Sequence, residues 1–449
     1  MKTVSLKIQK LKRNPPLLLG GTFAIVILVG AILLTLPQAS ADGSSTSFVD
    51  ALFTSGSATC VTGLIVKNTA SSWSPLGKGI ILALIQIGGL GTMTIISIIS
   101  LMLNRRIGLQ ERLAIKEQLN SLTMSGLVRL IKYVTTLTLV MEGVGAIFLG
   151  LRFIPQYGLQ KGIVFSVFHS ISAFCNAGFD ILGNSMEPYQ TDWLINLTVM
   201  LLVIFGGLGF SVYVDIYKKR KYRSLTIHSK MVLSMTAFLL VAGTFLILLC
   251  EYHNPKTMEG LSVPNKFLAA SFQSTIARTA GFNSINIRGM TDASSFIMII
   301  LMFIGGSPGS TAGGLKTTTF GVLLATTYTV VTNKEDVVWK KRVIGQEIVK
   351  KSFVMAFIAI IVVISVTSLI TIFEKDAFDF LDIFYESVSA FGTVGVSRGI
   401  TADLSTPSKL ILTLTMFLGR VGPTTLAFGL GKGMKKKKIR YAEGSILVG

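Results

Sequence analysis

Apolar residues along this chain come in repeated runs of about 20 residues, separated by short polar segments. Runs of that length predict membrane-spanning helices. The first, Leu17 to Leu36, follows basic residues as the core of a signal peptide would. It is too long for such a core, and its exit "LPQAS" is a weak cleavage site, so it is read as a retained span. Other apolar stretches, such as "FVDALFTS" (48–55) and "FLDIFYES" (380–387), open segments of only about ten residues, too short to cross.

The short stretches belong to a fourfold repeat. "SATCVTGL" (57–64), "SAFCNAGF" (172–179), "TIARTAGF" (275–282) and "SAFGTVGV" (389–396) align, each with Ser or Thr six residues before a glycine. Those glycines are Gly63, Gly178, Gly281 and Gly395, spaced 115, 103 and 114 residues apart. A second set, "IGGLG" (87–91), "FGGLG" (205–209), "IGGSPG" (304–309) and "LGRVG" (418–422), follows 24 to 28 residues later. Two glycine signals in phase four times mark an internal repeat. They predict an all-α integral membrane protein with four pseudo-repeats. Each is a span, a pore half-helix with a re-entrant loop, and a second span, giving eight full spans around one central pore. The predicted segments are 1–16, an N-terminal stretch; 17–103, repeat 1; and 104–216, a linker with repeat 2. They continue with 217–331, a linker with repeat 3 and its broken second span; 332–430, a linker with repeat 4; and 431–449, a tail.

Charge adds an orientation. Segments 1–16, 104–129, 217–230, 332–351 and 432–440 hold 28 of the 42 Lys and Arg, which places them, and both termini, on the cytoplasmic side. The net charge of +20 is therefore spread over five membrane-flanking segments, and "KKKK" (Lys435–Lys438) reads as a membrane-surface face before a nucleic-acid site. Charged residues make up only 14% of the chain, below the roughly 25% of a soluble protein, and mean hydropathy is +0.65. Three cysteines form no disulfide framework, and no Cys/His cluster has metal-ligand spacing.

Re-entrant backbone survives at membrane depth only where protein or a watery path satisfies it. Four such loops around one axis would aim carbonyl oxygens at a central line, where a ring of them can replace the hydration shell of a monovalent cation. The negative ends of the preceding half-helices point the same way. Simple close packing by small residues suits Gly88, Gly89, Gly206 and Gly207, but explains the loop glycines poorly.

With these motifs the chain resembles the membrane subunit of the Trk/Ktr/HKT potassium-uptake superfamily, most closely the KtrB type. The resemblance runs from Leu17 to the C-terminal tail. Its specific parts are the four single-glycine loops, the phrase "GGSPGSTAGG" and Arg420. It implies that filter carbonyls come from Val61, Thr62 and Gly63; Asn176, Ala177 and Gly178; Thr279, Ala280 and Gly281; and Thr393, Val394 and Gly395. Some sodium-preferring relatives carry serine at the first-repeat glycine, so Gly63 points to potassium, with sodium leakage still open. The resemblance further implies potassium uptake across the cell membrane, sodium as a candidate activator, no bound cofactor, and a homodimer with one pore per subunit. It also implies a separate cytoplasmic ring of RCK-type, KtrA/KtrC-like subunits that bind adenine nucleotides. Segments 104–129, 217–230 and 332–351 are candidate docking surfaces for that ring.

The stretch "FIGGSPGSTAGGLKTTTF" (303–320) departs from the apolar pattern most sharply. Pro308 removes a backbone donor, and Gly305, Gly306, Gly309, Gly313 and Gly314 lower helix propensity. With Ser307, Ser310, Thr311 and Ala312 they form a polar loop below the filter, a gate rather than a single-proline kink. A Walker A reading fails, because Leu315 separates Gly314 from Lys316 and no strand precedes. Arg420, level with Gly306 by repeat alignment, needs buried partners, and the carbonyls of 307–314 are candidates. Lys316 either acts likewise or caps the broken helix. Arg278 is read as a brace behind the third loop with an acidic partner, for which Glu386 is a candidate; Glu386, Asp180 and Asn283 are also candidates to attract cations. Cys60 and Cys175 read as packing residues, and His169 and His228 carry no role. A stoichiometrically coupled Na+/K+ secondary symporter is the alternative function. An enzyme lacks a nucleophile–base or metal cluster.

Overall fold

The structure, a computed structural model, describes residues 15–92, 94–95, 97–98, 108–118 and 127–422. The expectations for segment 1–14, for 104–107 and 119–126, and for the basic tail with Lys435–Lys438 lie outside the described residues. The chain is mostly helical, and each repeat opens with one helix long and apolar enough to cross a membrane. These are Leu17–Thr35, Val128–Tyr157, Ile227–Glu251 and Gln346–Glu374. Their outer faces carry exposed Val241, Leu249, Phe357 and Ile372. Water would penalise such surface, whereas lipid accepts it.

A half-helix of 13 to 16 residues follows in each repeat: Phe48–Cys60, Leu159–Phe174, Val263–Ile276 and Phe380–Gly392. At 1.5 Å per residue these reach about 20–24 Å, short of the hydrocarbon thickness. Each stops three to five residues before its repeat's loop glycine.

The expectation of a single interruption among the second spans needs correction. Among the described residues the second helix of every repeat stops at the second glycine set. Pro75–Leu90 ends at Gly91 (φ +86°) and Thr406–Val421 at Gly422 (φ +89°). Trp193–Gly207 turns through 90° into Phe210–Lys219, with Gly209 at φ +90°. Asp292–Phe303 gives way to a loop before Thr317–Val331. Glycine adopts that left-handed backbone without a Cβ clash, so the last glycine of "GGLG" and "GRVG" acts as a stop.

The two interior breaks complete each other. Gly207 O accepts from Ser307 N at 3.0 Å and Gly206 O from Thr311 N at 3.3 Å, while Phe210 N donates to Gly309 O at 2.9 Å. Groups freed in repeat 2 thus find partners freed in repeat 3, as backbone away from water requires.

Acidic staples join the helix ends. Glu251, closing one long helix, accepts from Thr291 N at 2.9 Å and Thr291 Oγ1 at 2.8 Å. Glu374 does the same for Ser405 N and Oγ at 3.0 and 2.7 Å. On a separate turn Asp215 takes Thr226 N and Oγ1, both at 2.8 Å, and Ser229 Oγ at 2.7 Å. Thr291, Ser405 and Thr226 are each the residue at which the next helix starts. The Lys409–Asp50 pair, 3.3 Å, links the last repeat to the first half-helix.

Glu374→Ala leaves the Ser405 donors unmatched and should cost about 1–3 kcal/mol. A thermal-unfolding scan of the purified protein should show a lower midpoint for Glu374→Ala than for Glu374→Gln, which keeps an acceptor.

Candidate ion pathway

The end of each half-helix builds one corner of the site. Three of the four stop in the same capping turn. Thr62 N, Ala177 N and Val394 N donate to Ser57 O, Ser172 O and Ser389 O at 2.8, 2.7 and 2.9 Å. This six-to-one bond is the Schellman cap, and it throws the residue before into left-handed backbone. Val61, Asn176 and Thr393 accordingly have φ of +58°, +59° and +50°. In the third repeat Thr279 reaches φ +69° through a different turn, with Ala280 N on Ile276 O at 3.0 Å. The Ser or Thr six residues before the glycine now has a use. Ser57 Oγ accepts from Gly63 N at 3.0 Å and Ser389 Oγ from Gly395 N at 3.1 Å. Ser172 Oγ instead donates to Phe179 O, and Thr275 Oγ1 to Ser271 O.

The four loops meet in a closed ring. Gly63, Gly178, Gly281 and Gly395 all have positive φ, between +69° and +102°. A Cβ added to Gly63 would stand 2.6 Å from Ala177 O, and one on Gly178 2.8 Å from Ala280 O. One on Gly281 would stand 2.9 Å from Val394 O, and one on Gly395 2.0 Å from Thr62 O. Each glycine therefore faces the carbonyl before the next repeat's glycine, and the circuit returns to its start. Backbone oxygen crowded about one axis is the chemistry that takes a monovalent cation out of water.

The second glycine set backs these corners. A Cβ at Gly88, Gly206 or Gly419 would lie 2.0 Å from Thr59 O, Phe174 O or Phe391 O, the last turn of the half-helix in the same repeat. Cys175 packs against Gly89, and both Cys60 and Cys175 are buried. Glu142 and Gln86 also face the Cys175 sulfur, at 3.7 and 3.8 Å.

The 305–314 loop lies directly against this ring. Its mouth is closed by pairing of Ile304 with Leu315, by Thr317 N on Gly306 O at 3.1 Å, and by Ser307 Oγ with Thr317 Oγ1 at 3.1 Å. Ser310 Oγ donates to Ser307 O at 2.7 Å, across the turn at Pro308 and Gly309. Gly309 and Gly314 use left-handed backbone, both φ +66°. Gly305, Gly306 and Gly313 are required by space instead: a Cβ would meet Gly313 O, Ala312 Cβ or Thr393 Oγ1 at 2.1, 2.2 and 2.2 Å. Thr311 Oγ1 reaches Asn176 Oδ1 at 3.0 Å. Arg420 donates to Thr311 O and, at 2.5 Å, to Gly88 O, bridging the loop to repeat 1. Lys316 Nζ donates to Ala312 O at 2.8 Å and supplies no side-chain cap to its helix.

Other expectations are redirected. Arg278 is buried and has no carboxylate partner among the described residues; Glu386 accepts from Thr401 instead. Asp180 folds its own loop, accepting from Gly183 N at 2.7 Å and Ser185 N at 3.1 Å. Asn283 joins the second and third loops: its O accepts from Met186 N at 2.9 Å, its N donates to Ser185 Oγ at 2.9 Å, and its Nδ2 to Glu187 Oε1 at 2.6 Å. Burial raises the Glu187 carboxyl above the ordinary carboxylate range, opposed by that Asn283 bond. His169 is buried, with Nδ1 on Phe165 O at 2.7 Å and Nε2 accepting from Ile181 N at 3.3 Å, so it pins the strand of chain leaving the second loop.

One residue was not singled out by pattern. Arg398, three residues past Gly395, bonds Asp382 and Ser295, both at 2.5 Å, and ties the fourth loop to repeat 3. A cation inside an apolar repeat, with an aspartate in the adjoining half-helix, was the available signal.

A membrane-embedded ring of four glycine loops, with a polar loop held beneath it, defines a cation-transport protein. The comparisons agree. The family described as TrkH, cation transport protein, matches residues 22–438, and the chain belongs to that family. It is 41% identical to the Ktr system potassium uptake protein B of Vibrio alginolyticus, over 99% of this chain and 97% of that one. It is 40% identical to the potassium/sodium uptake protein NtpJ of Enterococcus hirae, over the full length of both. The potassium transporter TrkH from Vibrio parahaemolyticus has the same fold, with TM-score 0.67, 22% identity, and 91% and 84% of the two chains covered. The chain is a transporter, not an enzyme.

Gly395→Ala places a methyl against Thr62 O in disfavoured backbone. Strain of about 1–3 kcal/mol at the ring should lower cation uptake by reconstituted protein about tenfold. Rubidium flux into liposomes checks this.

Proposed function

We propose that the chain carries potassium into the cell through the four-loop ring, driven by membrane potential, with 305–314 as a gate held by Arg420 and Lys316. The observation that carries this reading is the placement of the polar loop against the ring. Thr311 touches the second loop, and Gly313 lies against Thr393 of the fourth. An ion leaving the ring on that side meets the loop. The carbonyls of 61–63, 176–178, 279–281 and 393–395 serve as the filter, and intact Gly63 favours potassium. The names of the potassium uptake relatives support the substrate, and NtpJ's name keeps sodium in view as activator or second ion.

A uniport suffices energetically. An inside-negative potential supplies about 2.3 kcal/mol per charge per 100 mV. Hundredfold accumulation costs about 2.7 kcal/mol, so roughly 120 mV sustains it. On this reading the chain lies in the cell membrane as a homodimer with both termini cytoplasmic. Eight crossings are part of the same reading. The basic segments receive a separate nucleotide-binding ring of RCK type, in keeping with relatives named as parts of a system. The breaks in repeats 2 and 3 also suit a coupled Na+/K+ symporter, in which both would move in an obligatory cycle.

Deleting Ser307–Gly314 discriminates. In liposomes with an imposed inside-negative potential, the gate reading expects rubidium uptake to rise severalfold. A folded but inert deletion variant would hand the function to the symporter reading. Arg420→Gln, which loses charge and one of two carbonyl contacts, should raise uptake in the same assay by a smaller factor.

A further inference from the structure

We infer that the Asn176 side chain couples the gate loop to the filter, so that ion selectivity depends on whether Thr311 is seated. The inference rests on the filter-and-gate reading above and assigns a role to side chains where that reading uses backbone oxygen.

Asn176 is fully buried in the left-handed position beneath the second filter corner. Its amide faces two ways. Oδ1 accepts from Thr311 Oγ1 at 3.0 Å. Nδ2 donates to Arg278 O and to Thr279 Oγ1, both at 3.4 Å, which are the chain and side chain of the third filter corner. One amide therefore joins filter loop 2, filter loop 3 and the gate loop. The equivalent residues, Val61, Thr279 and Thr393, carry no amide, and the Thr393 hydroxyl has no partner. Among the described residues only repeat 2 has this bridge.

Space for it is built in. A Cβ on Gly206 would stand 2.4 Å from Asn176 Oδ1 and 3.0 Å from Thr311 Oγ1, so that glycine opens the pocket in which the two meet. Thr311 is held there through its backbone as well, by Gly206 O and Arg420. Its hydroxyl orients a group that otherwise turns freely, because the terminal amide torsion is broad and weakly hindered. When the loop leaves, the amide loses the contact that keeps Nδ2 aimed at the third loop, and the tie between two of four corners weakens. A ring that selects by the number and field of its carbonyls is sensitive to such a change. The gate thus acts on the filter it blocks.

The test is the ratio of rubidium to sodium uptake in liposomes at one imposed potential. Thr311→Val keeps the shape and removes the hydroxyl; the ratio should fall about threefold, the scale of one net hydrogen bond. Thr311→Ser should keep the wild-type ratio. The Ser307–Gly314 deletion, which removes Thr311 altogether, should lower the ratio at least as far as Thr311→Val, and stands in for it if the valine variant does not fold. Higher rubidium uptake by the deletion with an unchanged ratio would overturn the coupling and leave the gate standing. A lowered ratio in Thr311→Val with no rise in uptake on deletion would keep the coupling and remove the gate. An unchanged ratio with no rise in uptake would remove both.

Discussion

Backbone polarity at membrane depth is the constraint on which the rest of this structure depends. Every loop glycine, helix stop and broken span frees N–H and C=O groups where no lipid can receive them. The structure answers in three ways. Caps close the half-helix ends, hydroxyls of Ser57 and Ser389 take the Gly63 and Gly395 N–H groups, and the breaks of repeats 2 and 3 pair with each other. What remains is carbonyl oxygen around one axis.

Fourfold pseudo-symmetry provides the ring, and repeat 3 departs from it. Repeats 1, 2 and 4 share the Schellman cap and the close backing by Gly88, Gly206 and Gly419. Repeat 3 follows neither rule. Its cap differs, and its second helix gives way to the 305–314 loop, so that Gly305 packs against Gly313 O of that loop. The cations gather where symmetry fails. Arg420 and Lys316 both donate to carbonyls of that loop, compensating oxygen that a helix would have consumed internally. Both are half-buried, and those carbonyls receive their charge.

The sequence by itself determined the repeat and its phase. The reason is local. A left-handed φ at Gly63, Gly178, Gly281 and Gly395 favours glycine, whereas the half-helices, read as about ten residues, run to 13 to 16 because the capping turns extend them. The break at 304–316 was visible for the same reason, since Pro308 and five glycines disfavour helix wherever they stand. Tertiary structure decided what depends on a neighbour. Val61, Thr279 and Thr393 are β-branched residues in left-handed backbone, which no propensity anticipates; the caps and crowding of four loops impose it. The 90° turn after Gly207 was hidden because "FGGLG" reads like "IGGLG", and only the presence of Gly309 beside Phe210 N makes a full bend affordable. Arg278 and Glu386 were offered as an ion pair and are not one, because repeat geometry gives Glu386 to Thr401. Which carbonyls Arg420 reaches, Thr311 O and Gly88 O, lies 109 and 332 residues away along the chain. Distances of that kind are set by how repeats close around an axis, and no window of sequence contains them.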